Sequence, residues 1–241
     1  MVAVMMQKST RLVLGGLAAA ALVAFTGVQL PMATSNAAAQ SLPAPVVDES
    51  VSPGAPTETA MLAGGCFWGV QGLFQHVDGV TAAESGYAGG AQQTANYAAV
   101  SRGDTGHAES VRITYDPTRV TFGQLLRVFF SVVEDPAQLA HQPSDSQYRS
   151  TIFAQDDNQR RIAQSYIAQL NQAAAFPSPI VTTVSAATPF FPAERYHQDF
   201  MNSNPTQPYI ATSEMPKLAA LKQVFAAQYR DQPVLVLSDG R

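Results

Sequence analysis

Residues 62–69 read Leu-Ala-Gly-Gly-Cys-Phe-Trp-Gly, and this corner limits the folds open to the chain more than any other stretch. Upstream, Thr57 to Ala63 is short and β-like; downstream, Val70, Leu73, Phe74 and Val77 recur at helical spacing. The pattern predicts strand, glycine turn, helix, with Cys66 in the first turn of the helix. Glycine suits such a corner because it adopts φ > 0 and lets other atoms approach the backbone. The corner also holds the only cysteine and the only tryptophan in the chain. Unpaired N–H groups and the helix dipole favour an anion at a helix start, so the thiol is expected to ionise readily there. With Phe67 and Trp68 beside it, Cys66 reads as a nucleophile facing a small apolar ligand. A lone cysteine is more often a buried small hydrophobe; the glycine turn, the helix start and the aromatic neighbours tilt this one toward reactivity.

The chain before that corner divides in two. Lys8 and Arg11 precede an apolar run from Leu12 to Val28, and Ala37-Ala38-Ala39 offers a small-residue cleavage site. Residues 1–39 are therefore expected to be a secretory signal peptide. The other reading, a membrane anchor, is disfavoured by Gly15, Gly16, Gly27 and Pro31 in and after the run. Residues 40–56, rich in Pro, Ser, Ala and acidic side chains, are expected to be a flexible leader. Removing the signal shortens the chain from 241 to 202 residues and, with its two cations, takes the formal charge from −4 to −6. An acidic protein without basic clusters is not built for nucleic acid or an anionic membrane surface. The expected location is outside the cytoplasm, in a bacterial periplasm. One cysteine cannot form an internal disulfide, and an unpaired thiol in an oxidising compartment needs a task or burial.

Along the rest of the chain, Val80 to Tyr87 reads as a second strand and 91–104, containing Tyr97, as a loop with a helical turn. From Glu109 to Tyr115 the pattern alternates, with Glu109, Val111, Ile113 and Tyr115 on one face and Ser110, Arg112 and Thr114 on the other. Thr121 opens a helix, and Gln124 is placed for a capping box. Phe122, Leu125, Leu126, Phe129, Phe130 and Val133 form its apolar stripe, and Asp135-Pro136 ends it. A polar loop to Gln147, a strand from Tyr148 to Ala154, a helix from Asp156 to about Ala174 and a strand from Ile180 to Ser185 follow. Glu194–Met201 and Lys217–Gln228 are helical candidates. The order strand, helix, strand, strand, helix, strand is the split β-α-β arrangement. It predicts one domain of the α/β (α+β) sandwich class, a mixed sheet with helices packed on it.

Four blocks carry a resemblance: Gly65-Cys66-Phe67-Trp68-Gly69, Ser85-Gly86-Tyr87-Ala88-Gly89-Gly90, Gly106-His107-Ala108-Glu109 and Gln147-Tyr148-Arg149-Ser150. In order and approximate spacing the chain resembles the A-type peptide methionine sulfoxide reductases, from about Thr57 to Arg230, with 231–241 left as a C-terminal tail. The resemblance implies a ferredoxin-like sheet, no metal and no other cofactor. It implies reduction of methionine-S-sulfoxide, peptide-bound or free, and so repair of oxidised proteins. It implies Cys66 as nucleophile, Phe67 and Trp68 as walls for the substrate methyl, Glu109 as the acid beside the sulfoxide oxygen, and Tyr97 and Tyr148 as its hydrogen-bonding partners. Asp145 and His197 are implied as further substrate-binding residues. The chain departs from the family in three places. Gln142-Pro143-Ser144-Asp145-Ser146 is two residues shorter than the usual loop, Glu134 stands where a histidine often precedes Asp-Pro, and no C-terminal resolving cysteine follows. The implied reductant is a thioredoxin-like protein or a small thiol, and the protein is expected to be a monomer.

The chemistry asks for these residue types. A sulfoxide sulfur becomes attackable when its oxygen is hydrogen-bonded or protonated, which needs a soft nucleophile, an acid and an apolar niche. Cys66, Glu109 and the Phe67–Trp68 pair supply the three. Glu109 serves only if it is neutral near pH 7, and its apolar strand face favours that by penalising the charged form. Taken singly, a glutamate is usually a solvated strand end and a tyrosine a core aromatic with its hydroxyl at the surface. Three other functions remain open: a cysteine hydrolase pairing Cys66 with His107 or His197, a thiol peroxidase, and a binding module for methionine peptides. His76, His107, His141 and His197 are too scattered for a metal cluster.

Overall fold

Strand β1 (Glu58–Ala63) runs through the interior of a six-stranded sheet whose order is β5-β4-β1-β3-β2-β6. The computed structural model describes residues 41–50, 54, 56–134, 143 and 145–237, all within one compact unit. The expected signal peptide and the Asp135-Pro136 stop lie outside those residues. The other strands are β2 (Val80–Ala88), β3 (Ala108–Tyr115), β4 (Thr151–Ala154), β5 (Thr183–Ala186) and β6 (Phe190–Pro192). β3 pairs antiparallel with both β1 and β2, and β4 pairs antiparallel with β1. That is the split β-α-β core with a ferredoxin-like strand order. β5 extends one edge in parallel and β6 the other antiparallel, which makes the sheet mixed.

Helix α1 (Phe67–Phe74) follows β1 and buries Phe67, Val70, Leu73 and Phe74 against the sheet. The short α2 (Tyr97–Val100) is capped by the Asn96 side chain, which accepts from the Ala99 N–H. Helix α3 (Phe122–Val128) opens on the expected capping box: Thr121 accepts from the Gln124 N–H, and the Gln124 side chain accepts from the Thr121 N–H. It continues into a π-helical turn, Phe129–Val133, and the whole apolar stripe of the sequence reading is buried. Helix α4 (Asp157–Gln172) packs Ile162, Tyr166 and Leu170 inward. Then come α5 (Phe200–Ser203), a second π turn (Ile210–Glu214) and α6 (Met215–Val224).

The last helix stops at Val224, four residues short of the expected Gln228, and four other segments differ from the sequence reading, each for a local reason. β4 begins at Thr151 because Tyr148 and Arg149 are folded into a turn by hydrogen bonds to Ser146 Oγ and O. Ile180 is held outside β5 by the Asn171 side chain, to which its N–H donates at 2.9 Å. The Glu194–Met201 stretch is a 3-10 turn (Arg195–His197) and then α5, broken at Asp199, whose φ is +57. The described part of the expected flexible leader is docked. Leu42 is buried, and its carbonyl accepts from Arg127 Nε at 2.6 Å; the Pro43 carbonyl accepts from the Tyr166 hydroxyl at 2.8 Å. Asp48 and Glu49 accept from the Gly123 and Phe122 N–H groups, supplying extra caps to α3. No helix among the described residues is long and apolar enough to cross a membrane.

Candidate active site

The corner at 64–66 places the thiol. Gly65 has φ +96, which an L side chain rarely adopts, and the turn delivers Cys66 as the N-cap of α1, one position before the helix's first turn. The β1–β3 register pairs Leu62 with Val111; continued two residues, it brings Glu109 beside Gly64. Glu109 Oε2 then accepts from the Phe67 N–H at 3.1 Å, tying the carboxyl to the first turn of the helix that Cys66 caps. Glu109 is buried, and burial raises its pKa to about 7, against the lowering effect of the Phe67 hydrogen bond.

Tyr148 reaches the same point through the backbone: the Glu109 N–H donates to the Gln147 carbonyl at 2.7 Å. Burial pushes the Tyr148 hydroxyl up to about 12, and the charges of Glu109, Cys66 and Tyr97 act on it. Tyr97 opens α2 and is more than a third exposed; its ring centroid lies 4.6 Å from that of His197. Cys66, Glu109, Tyr97 and Tyr148 thus converge. Asp145 does not join them: it is exposed in a turn, with its charge acting on Arg149.

The rings around Trp68 form a layered aromatic stack. Trp68 stacks on Phe200 at 3.8 Å and donates its indole N–H to His197 Nδ1 at 3.1 Å. An imidazole that accepts at Nδ1 carries its proton on Nε2 when neutral. Burial lowers the His197 pKa, against the raising effect of Glu194. His197 is wedged between the rings of Phe67, Tyr97 and Tyr196. It therefore holds the indole in place. Behind α1, Gln71 and Gln75 bond the segment that carries His197 and Phe200. Gln71 Nε2 donates to Gln198 Oε1 at 2.7 Å, and Gln75 Nε2 donates to Asp199 Oδ1 at 2.6 Å. Asp199 also accepts from the Val236 and Leu237 N–H groups, so the tail described to 237 is part of the fold.

The thiol itself overturns one expectation. Burial, with the charges of Glu109 and Glu214, pushes Cys66 up to about 12, and the lowering effects of the Trp68 N–H and the Tyr209 hydroxyl do not offset it. The field of an eight-residue helix is outweighed by the removal of water and the proximity of two carboxyl groups.

Several residues at this site were given no task by the sequence. Glu194 accepts from the Tyr87 hydroxyl and the Tyr97 N–H, both at 2.8 Å, and so fixes the start of α2. Glu134 accepts from the Ser150 and Thr182 hydroxyls and anchors the segment after Tyr148. Tyr209 and Glu214 arrive from the second π turn. Neither histidine proposed for a hydrolase contacts the thiol: His107 Nδ1 accepts from the Gly90 N–H and its Nε2 meets the Ala91 carbonyl, while His197 is engaged with Trp68. Among the described residues no group of three or more His, Cys, Asp or Glu side chains could hold a metal ion.

Residues 58–229 match the family model of peptide methionine sulfoxide reductase. A Mesorhizobium japonicum protein, peptide methionine sulfoxide reductase MsrA 2, is 60% identical over 194 residues, 80% of this chain and 98% of that relative. A Synechocystis protein of the same name is 48% identical over 79% of this chain and 91% of its own length. Among solved structures, methionine sulfoxide reductase A of Corynebacterium diphtheriae superposes with a TM-score of 0.51 at 31% identity, covering 73% of this chain and 93% of the other. Reduced Mxr1 from Saccharomyces cerevisiae gives 0.55 at 28% identity over 66% and 91%.

Proposed function

The chain belongs to the peptide methionine sulfoxide reductase family, and from that premise we propose how its site divides the work. The protein is a thiol-dependent oxidoreductase that returns methionine sulfoxide in oxidised proteins to methionine. The substrate methyl lies against Phe67 and Trp68, and the sulfoxide oxygen faces Glu109, Tyr97 and Tyr148. Because the Phe67 N–H occupies Glu109 Oε2, the carboxyl proton sits on Oε1 and is free to reach the oxygen. Cys66 attacks the sulfur as that proton is delivered. Oxygen transfer leaves Cys66 as a sulfenic acid and releases methionine. Tyr148 and Tyr97 hydrogen-bond the oxygen as it gains charge.

The observation that carries this reading is a buried carboxyl, raised by burial to about 7 and tied through the Phe67 N–H to the start of the helix that Cys66 caps. Neither a binding module nor a hydrolase needs that arrangement. The preferred substrate is the S epimer, free or peptide-bound. The electron donor is a thioredoxin-like protein or a small thiol, since Cys66 has no partner cysteine. The protein works as an exported, periplasmic monomer after loss of residues 1–39; the sequence pattern of those residues is the support for export. The test uses dabsylated methionine S- and R-sulfoxides with dithiothreitol. The wild type is expected to consume the S epimer only, and Cys66→Ser, folded, neither. Comparable turnover by Cys66→Ser would eliminate the assignment.

A further inference from the structure

The stretch at 85–90 is one of the four blocks that carry the family resemblance, yet the reaction as described gives it no task. Its tyrosine leads to one. Tyr87 is fully buried on β2, and its hydroxyl donates to Glu194 Oε2 at 2.8 Å. The other oxygen of that carboxyl, Oε1, accepts from the Tyr97 N–H, also at 2.8 Å. One side chain thus joins a buried strand to the residue that opens α2. Glu194 is held firmly from behind. β6 pairs with β2 across Gly86, where an added Cβ would strike the Phe190 ring and the Phe191 carbonyl. The Ala193 N–H donates to the Ser85 carbonyl at 2.9 Å, and Gln198 Nε2 donates to the Ser85 and Ala193 carbonyls at 2.8 and 3.1 Å. Tyr97 has little else to fix it. α2 is four residues long, only Ala99 and Val100 of it are buried, and residues 91–96 are all exposed or half-buried. An N–H in the first turn has no partner within its own helix, and the Asn96 side chain caps the Ala99 N–H instead of this one. The Glu194 carboxyl therefore decides where α2 begins, and with it where the Tyr97 ring rests on His197.

We infer that Glu194, seated by Tyr87, is a positioning residue for the reaction: it holds the Tyr97 hydroxyl where the sulfoxide oxygen gains charge. The inference rests on the reading of Tyr97 as a hydrogen-bond donor to that oxygen. Glu194 acts through Tyr97 and not on the substrate. A donor aimed at developing charge is effective only when it is already in place, because any reorganisation is added to the barrier. Loss of the Glu194 bond frees the start of a four-residue helix on an exposed segment, and a displacement of about 1 Å at such a donor costs up to about 10²-fold in rate. The 85–90 block then has a task in catalysis: Gly86 admits β6, and Tyr87 gives the carboxyl that β6 delivers a fixed seat.

The test is a double-mutant cycle on the first-turnover rate constant at saturating methionine sulfoxide, a constant that does not depend on the fraction of enzyme folded. Tyr97→Phe is expected to be slower than wild type by about 10²-fold. Glu194→Ala is expected to be slower by about 10–10²-fold, with sulfoxide affinity within about threefold of wild type. Because the second loss runs through the Tyr97 hydroxyl, the double variant is expected to be no more than about threefold slower than Tyr97→Phe. Independent losses would instead multiply to about 10³–10⁴-fold. Glu194→Gln can remake both bonds, its carbonyl accepting from the Tyr97 N–H and its amide donating to Tyr87 Oη, and is expected to recover most of the rate lost in Glu194→Ala. A Glu194→Ala rate within about threefold of wild type, losses that multiply, or a Gln variant as slow as Ala would overturn the positioning role. Should Glu194→Ala fail to melt cooperatively, Glu194→Asp, one methylene too short to span both bonds, takes its place in the cycle under the same criteria. Tyr97→Phe within about threefold of wild type would overturn the reading of Tyr97 itself, and the inference with it; a slow Tyr97→Phe with multiplying losses would overturn the inference alone.

Discussion

Replacing Glu109 by glutamine separates its two tasks. Gln keeps an oxygen for the Phe67 N–H, a 3.1 Å bond in the wild type, and offers N–H groups to the sulfoxide, but it has no proton to give. Loss of a positioned general acid costs about 10²–10⁴-fold, or roughly 3–5 kcal/mol of barrier. The wild-type pH profile sets the scale. With a pKa of about 7, Glu109 is neutral in about half the molecules at pH 7 and about a tenth at pH 8. The first-turnover rate is therefore expected to be level below pH 6 and to fall tenfold per unit above 7, whereas Glu109→Gln has no break near 7. The raised pKa also bears on stability. The folded state holds this proton more tightly than the unfolded chain, so its contribution is full below about 4.5 and is lost as pH rises through 7. The loss amounts to roughly 3 kcal/mol, which the Gln variant does not suffer. Methionine release in a rapid-quench single turnover, from pH 5 to 9, reads the rate. A Gln variant within tenfold of wild type at pH 6 or below, or one that keeps the break near 7, would refute proton donation by Glu109.

Three further substitutions probe the scaffold. His197→Phe removes the acceptor of the Trp68 indole and is expected to cost about 1 kcal/mol in substrate binding, a roughly fivefold rise in KM with kcat little changed; an unchanged KM and an unshifted emission from the single tryptophan would contradict it. Asp199→Ala strips the acceptor of Gln75, Val236 and Leu237 and is expected to destabilise by at least roughly 1.5–3 kcal/mol in urea titration, so a midpoint equal to wild type would show the tail contact to be idle. Thr121→Ala should cost about 1 kcal/mol through loss of the α3 cap and leave activity intact; a stability loss under a few tenths would count against the cap.

What could be seen in the chain follows from the range of the interactions involved. The Gly65 turn, the Thr121 capping box and the apolar face of Glu109 are local patterns, and each appears where its spacing placed it. Their consequences beyond a few residues were not legible. The helix start suggested a readily ionised Cys66, but the thiol's environment is set by burial and by carboxyl groups 43 and 148 residues further along the chain. Tyr209 and Glu214 sit in a proline-flanked stretch with no periodicity, and only the packing of the π turn on α1 brings them in. The docking of residues 41–49 rests on two isolated apolar contacts, Leu42 and Val47, and on hydrogen bonds to α3 and α4, neither of which forms a periodic pattern in the sequence. His197 could be placed near the pocket by resemblance, while its task of accepting from Trp68 needed the fold.

Everything above depends on Cys66 taking the oxygen itself and having no second cysteine with which to discharge it. The direct measurement mixes the enzyme with excess methionine-S-sulfoxide in the absence of thiol, counts methionine released per protein, and traps the stalled enzyme with dimedone. One equivalent of methionine and one dimedone adduct at Cys66 are the expected result. More than one equivalent released without thiol, or a stalled enzyme with no adduct at Cys66, would contradict it.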